Sequence, residues 1–147
     1  MTPPGVDIPA ERVRAAREIA ALLAPGRRVV LTTHVNADGD GVGSEVGLWH
    51  LLAARGVHAS IANPTEIPDR FGFLLPEGAD QSGRAGRVVE HADVVVVMDI
   101  SDLSRLGDLG QAVKRSRGPT VCIDHHVPPL PPPPRPPKPA RCPRAPA

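Results

Sequence analysis

Proline decides how much of this chain can fold. Eleven of its 19 prolines fall between Pro128 and Ala147, the last 20 of 147 residues. Each proline fixes φ and removes a backbone donor, which excludes helix interiors and central strands. Residues 128–147 therefore read as extended polyproline II or a disordered arm. A packed core has to come from residues 1–127, enough for one modest domain and too few for a two-domain enzyme of ordinary size. Charge divides at the same place. All 16 acidic residues precede Pro128, while four basic residues and no acid follow it. The net charge of +1 averages two unlike pieces and argues neither for nor against a nucleic-acid partner.

Other classes are excluded quickly. No apolar run reaches the roughly 18 residues of a membrane span, and the opening MTPPGVDIPAER lacks a basic-then-apolar leader, so a cytoplasmic location without membrane attachment is expected. Cys122 and Cys142 do not make a disulfide framework. Trp49, Phe71 and Phe73 are the only aromatics, so base-stacking platforms are scarce and aliphatic side chains must fill the core.

Residues 7–24 read as an amphipathic helix, capped by Asp7, with Pro9 in its first turn and Val13, Ala16, Ala20 and Leu23 at helical spacing. Pro25-Gly26 ends it, and Val29 to Thr33 is a β-branched run that suits a buried strand. Val42 to Arg55 is predicted helical, with Val46, Trp49, Leu52 and Ala53 on one face. Val57 to Ala62 is a second strand. Asn63 to Arg87 is loop-rich, anchored to the core by Phe71, Phe73, Leu74 and Leu75. Val94 to Met98 is apolar throughout, as a central parallel strand should be. Leu103 to Arg117 is predicted helical despite Gly107 and Gly110, and Thr120 to Ile123 is a fourth strand. Strands alternating with helices at this spacing give an α/β fold with a mostly parallel sheet and flanking helices.

Sites in open parallel sheets form beyond the carboxyl ends of the strands. Three strand candidates end in polar clusters: His34 to Ser44 with Asp38 and Asp40, then Asp99 to Asp102, then Asp124-His125-His126. Each has a plain explanation alone. Asp38-Gly39-Asp40-Gly41 is a turn sequence, Asp99 can cap a helix, and a His-His pair is often surface. None of these explains why all three should share one rim. Convergent carboxylates repel unless protonated or bridged by a cation. An Asp/His set with almost no thiol suits Mn²⁺, Mg²⁺ or Zn²⁺, and the carboxylate share favours Mn²⁺ or Mg²⁺. Two such ions about 4 Å apart are a device for phosphoester hydrolysis. His50, His58 and His91 read as ordinary surface or partly buried histidines.

His34-Val35-Asn36-Ala37-Asp38-Gly39-Asp40 with Gly43-Ser44, Asp99 with Ser101-Asp102 and Arg105-Leu106-Gly107, and Asp124-His125-His126 resemble, in order and spacing, the first three motifs of the DHH phosphoesterase family. The likeness is to its bacterial oligoribonuclease/phosphoadenosine-phosphate phosphatase type, also through Pro68 to Pro76, and covers about residues 7–127. It implies that His34, Asp38 and Asp99 hold one Mn²⁺, and that Asp40, Asp99 and His125 hold a second, with Mg²⁺ as the substitute ion. His126 would meet the substrate phosphate, and Asp124 would orient the histidine pair. Gly43-Ser44 would open the helix whose amides face phosphate. The implied substrates are short RNA or DNA oligonucleotides, cut to 5′-mononucleotides, and 3′-phosphoadenosine 5′-phosphate (PAP), which loses its 3′-phosphate.

The chain departs from that pattern after Val127. A fourth motif with another aspartate ligand and a C-terminal, glycine-rich, basic substrate-binding domain would follow there, and neither is present. Residues 128–147 read either as a proline-rich recognition tail or as an out-of-frame stretch of GC-rich sequence. The second is favoured because the break falls where a family member would continue, and because arginine outnumbers lysine 15 to 2. The 147-residue chain is accordingly expected to bind Mn²⁺ but to turn over slowly or not at all. Two other readings stay open. Gly39-x-Gly41-x-Gly43 is a near miss of a dinucleotide-binding turn, with Glu66 as ribose partner, although His34, Asp38 and Asp40 place charge where a pyrophosphate would sit. A non-catalytic interaction protein using its proline-rich tail is the other.

Overall fold

The apolar run around Val95 becomes a strand buried on both faces, and the fold assembles about it. In the computed structural model, which describes residues 7–126, strands β1 (Arg28–Thr32), β2 (His58–Ile61), β3 (Val94–Met98) and β4 (Thr120–Ile123) form a parallel sheet in the order β2-β1-β3-β4. Helices α1 (Ala10–Leu22), α2 (Gly39–Ala54), α3 (Ala85–Glu90) and α4 (Leu109–Arg115) flank it. Alternate residues of the central strands feed two cores. Val29, Leu31, Val94 and Val96 join Val42, Val46 and Leu52 of α2, while Val30, Val95 and Val97 join Val89, Leu109 and Val113 of α3 and α4. Burial on both faces is why the run is continuous rather than alternating. The α/β class with a parallel sheet is the one expected. The segment 128–147, with Cys142, lies outside the described residues.

The topology creates one crevice. From β1 the chain crosses by α2 to β2 on one side, whereas from β3 it crosses by α4 to β4 on the other. The connections therefore part between the carboxyl ends of β1 and β3, the place where such sheets hold ligands. Register levels those ends. Thr32 pairs with Val97, so two residues later His34 comes opposite Asp99.

Several local expectations are corrected. Helix α1 starts at Ala10 with Pro9 at its cap position and no side-chain cap, so Asp7 does not cap it. Helix α2 starts at Gly39 rather than Val42, because the Asp38 carboxylate accepts from the amides of Asp40 and Gly41. The predicted Leu103–Arg117 helix is broken: a 3₁₀ turn over Leu103–Leu106 is capped by Asp102, and Gly107 turns at φ +54° before α4. Glycine without a Cβ takes that left-handed turn at little cost. The loop-rich stretch contains 3₁₀ turns at Asp69–Leu74 and Ser82–Arg84 and then α3. Phe71, Leu74 and Leu75 pack on the core as expected, but Phe73 is 83% exposed. No helix among the described residues is long and apolar enough to cross a membrane.

Helix α2 comes tightly against the end of β1 at Gly41. A Cβ there would lie 2.7 Å from Thr33 Oγ1 and 2.9 Å from its Cγ2. Thr33 cannot rotate away freely, because its hydroxyl donates to the Met98 carbonyl at 2.9 Å. Gly41→Ala is therefore expected to destabilise the domain by about 1–3 kcal/mol, lowering Tm by several degrees. At Gly43 a Cβ meets nothing within 4 Å. Gly43→Ala should raise Tm slightly through helix propensity. Thermal melts of the two variants check the contrast; equal Tm values would contradict it.

Candidate metal centre

His34 leaves the end of β1 nearly buried. Its Nδ1 lies 2.9 Å from the Val35 carbonyl, which can only accept, so Nδ1 carries a proton and Nε2 is the ring nitrogen left to bind a cation. That Nε2 is buried without a hydrogen-bond partner among the described residues. It faces Asp99 Oδ2 at 3.6 Å and Asp38 Oδ2 at 3.7 Å, too long for hydrogen bonds. Two carboxylate oxygens converging on one ring nitrogen at this spacing repel one another unless a proton or a cation joins them. Donors on an octahedral ion stand ~3 Å apart when adjacent and ~4 Å when opposite. The donor set fits a divalent ion.

Asp99 follows β3 at φ +64°, a left-handed conformation uncommon outside glycine and better tolerated by Asp and Asn than by other residues. Its amide is held by the Ile123 carbonyl at 2.9 Å. The side chain is 5% exposed, with Oδ2 toward His34 and Oδ1 accepting from His125 Nε2 at 3.0 Å. Strain at this position aims one carboxylate between two groups of donors. His34, Asp38 and Asp99 form one group; Asp99, His125 and His126 form the other, with donor atoms in each group within 4.8 Å of one another. Asp40 stands at the edge, its Oδ2 3.9 Å from His125 Nε2.

The remaining site candidates have separate duties. Asp38 Oδ1 accepts from the Asp40 and Gly41 amides at 3.0 and 3.1 Å. The Gly41 amide chiefly holds its carboxyl below the ordinary value, and the Asp40 amide and Arg105 add to this. This leaves Oδ2 facing the centre. It also fills the helix N-terminus that a dinucleotide pyrophosphate would need, which weakens that alternative. Asp124 accepts from the His126 amide at 3.1 Å and the His126 ring at 2.7 Å, bringing its carboxyl down to about 2 and raising His126. It thus orients His126, whereas His125 is held by Asp99. Gly43 and Ser44 are corrected. They lie in the second turn of α2 with amides inside its ladder, not at its opening. Asp102 serves as a cap. His50, His58 and His91 are exposed.

Sequence reasoning missed the support behind this centre. Thr33, Glu45 and Asn63 are polar and fully buried. One signal was available: Glu45 sits three residues after Val42 and one before Val46, on the apolar face of α2.

Residues 28–144 match the DHH family, N-terminal domain. Over 117 residues the chain is 32% identical to the bifunctional oligoribonuclease and PAP phosphatase NrnA of Thermus thermophilus, covering 79% of this chain and 32% of that protein. An exopolyphosphatase-related protein from Bacteroides fragilis superposes with a TM-score of 0.71 at 24% identity, over 78% of this chain and 35% of that one. The chain thus spans about a third of the length of each relative. By its motif residues, its sheet and these matches, the chain belongs to the DHH family through that family's N-terminal domain.

Proposed function

We propose that residues 7–126 form the metal-binding half of a phosphoesterase site that hydrolyses short oligonucleotides, PAP or both. The observation that carries this reading is His34 Nε2, buried without a partner among the described residues and facing the carboxylates of Asp38 and Asp99. His34, Asp38 and Asp99 would hold one Mn²⁺ or Mg²⁺. Asp99 and His125, with Asp40 at the edge, would hold the second. Divalent ions bound there supply Lewis-acid charge to a phosphoester and lower the pKa of water.

The chain's own residues would then position the substrate. His126 keeps Nδ1–H on Asp124, so its Nε2 edge is free to meet a phosphate. Arg105, whose charge acts on Asp38, Asp102 and His126, adds positive field beside the ligands. The Thermus relative is named for oligoribonuclease and PAP phosphatase activity, which supports the substrate classes.

The test is calorimetric titration of the 147-residue chain with Mn²⁺. Saturable binding that weakens at least tenfold in His34→Ala is expected; a flat wild-type titration would sink the proposal. Slow, chelator-sensitive consumption of a short 5′-labelled RNA or of PAP is the companion assay, and the compound consumed names the substrate.

A further inference from the structure

Behind the ligand loop runs a buried polar chain that the metal centre itself does not use. Asn63 Oδ1 accepts from the Thr33 amide at 2.9 Å and from Thr32 Oγ1 at 3.4 Å. Its Nδ2 donates to Glu45 Oε2 at 3.0 Å. Its own amide donates to Ser82 Oγ at 2.9 Å, and Ser82 donates on to Asp80 at 2.6 Å. Thr33 Oγ1 donates to the Met98 carbonyl. Thr32, Thr33, Glu45 and Asn63 are all fully buried.

The arrangement has a structural reason. Strand β1 pairs with β2 only as far as Leu31 and Ile61, and the Ala62 amide makes one further bond to the Leu31 carbonyl. The Thr33 amide, beyond that last rung, has no strand partner on this side. The Asn63 side chain supplies one in its place. Its amide group could turn over, presenting Nδ2 to Thr33, where two donors would oppose each other. The acceptor Glu45 Oε2 fixes the orientation. The residue following Thr33 is His34, and the one following Met98 is Asp99.

We propose that Glu45 and Asn63 are a positioning pair that holds the end of β1 so that His34 meets Asp38 and Asp99 at a cation's spacing. This rests on the metal reading given above. Outer partners of ligand-bearing residues commonly change metal affinity about ten- to a hundredfold when removed.

The experiment compares wild type, Glu45→Gln, Glu45→Met and Asn63→Ala by titration with Mn²⁺ alone and by hydrogen exchange of the Thr33 amide in metal-free protein. Glutamine keeps an acceptor for Asn63 and should leave Mn²⁺ affinity within about twofold of wild type and Thr33 exchange no faster than in wild type. Methionine matches the length without the acceptor. It should weaken Mn²⁺ binding about ten- to a hundredfold and speed Thr33 exchange, and Asn63→Ala should do the same from the other side of the bond. Wild-type Mn²⁺ affinity and Thr33 protection in both Glu45→Met and Asn63→Ala would overturn the positioning role. Loss of affinity in Glu45→Gln equal to that in Glu45→Met would overturn it too. Absence of Mn²⁺ binding by wild type overturns the metal reading itself and takes this role with it, so the two failures are told apart.

Discussion

Asp99→Asn should weaken divalent-cation binding far more than His34→Ala or His125→Ala does. Asp99 alone belongs to both donor groups, with one oxygen toward His34 and the other toward His125. The amide of asparagine replaces one of these oxygens by a donor and removes the negative charge from both groups at once. Asparagine is the informative substitution. At φ +64° it tolerates the left-handed backbone, while alanine would add conformational strain to the loss of the ligand. The metal-free Asp99→Asn variant should therefore fold with a Tm close to wild type. Its Mn²⁺ affinity should fall on the order of a hundredfold or more, beyond the loss typical for an outer partner. Titration with Mn²⁺ beside a metal-free melt separates the effects. An Asp99→Asn chain that binds Mn²⁺ within a few-fold of wild type would remove Asp99 from the centre.

That single residue also shows how far the sequence could be read. An aspartate after an apolar strand has two ordinary meanings, a cap or a site, and both occur here within four residues. Asp102 caps the turn at Ser104, while Asp99 is buried against the histidines. What separated them was convergence: three strands ending in Asp or His clusters must share a rim if the sheet is parallel. Val94–Met98 and Thr120–Ile123 were legible because strands in such folds need little more than a β-branched apolar run of the right length. The break at Gly107 was not. Helix propensity treats glycine as a weak spot, whereas here a residue at positive φ separates the 3₁₀ turn from α4. Glu45 and Asn63 were less legible still, since they stand 18 residues apart and meet only because α2 folds back along β1. Buried polar pairs of that kind leave one faint trace, a charged residue on an apolar helix face. Gly43-Ser44 failed for a local reason: the Asp38 cap moves the start of α2 ahead of them.

Glu45→Gln should raise stability strongly in alkaline solution and barely in acid. Burial pushes the Glu45 carboxyl up from 4.5 to about 8, against a hydrogen bond from Asn63 that favours the charge and with Asp80 opposing it further. Between those values the folded protein holds a proton that the unfolded chain has released. Stability therefore falls as pH rises across this interval. The favourable contribution of the neutral carboxyl is complete below about 4.5 and is lost once pH passes about 8. Integrated over the interval this amounts to on the order of 5 kcal/mol, a large share of a small domain's stability. Glutamine keeps the acceptor for Asn63 and has no proton to lose. At about pH 9 its Tm should exceed that of wild type by on the order of 10 °C, and by about pH 5 the two melting curves should nearly coincide. Asp93 and Asp124, each held down to about 2 by hydrogen bonds, lose their contributions in acid and do not affect the comparison. His126, raised by Asp124, does lose stability as pH rises, but it does so equally in both proteins and cancels in their difference. Melting temperatures of wild type and Glu45→Gln that run parallel from about pH 5 to about pH 9 would show that Glu45 is ionised in the fold. A second charge would then lie behind the ligand loop, and Asn63 alone could not neutralise it.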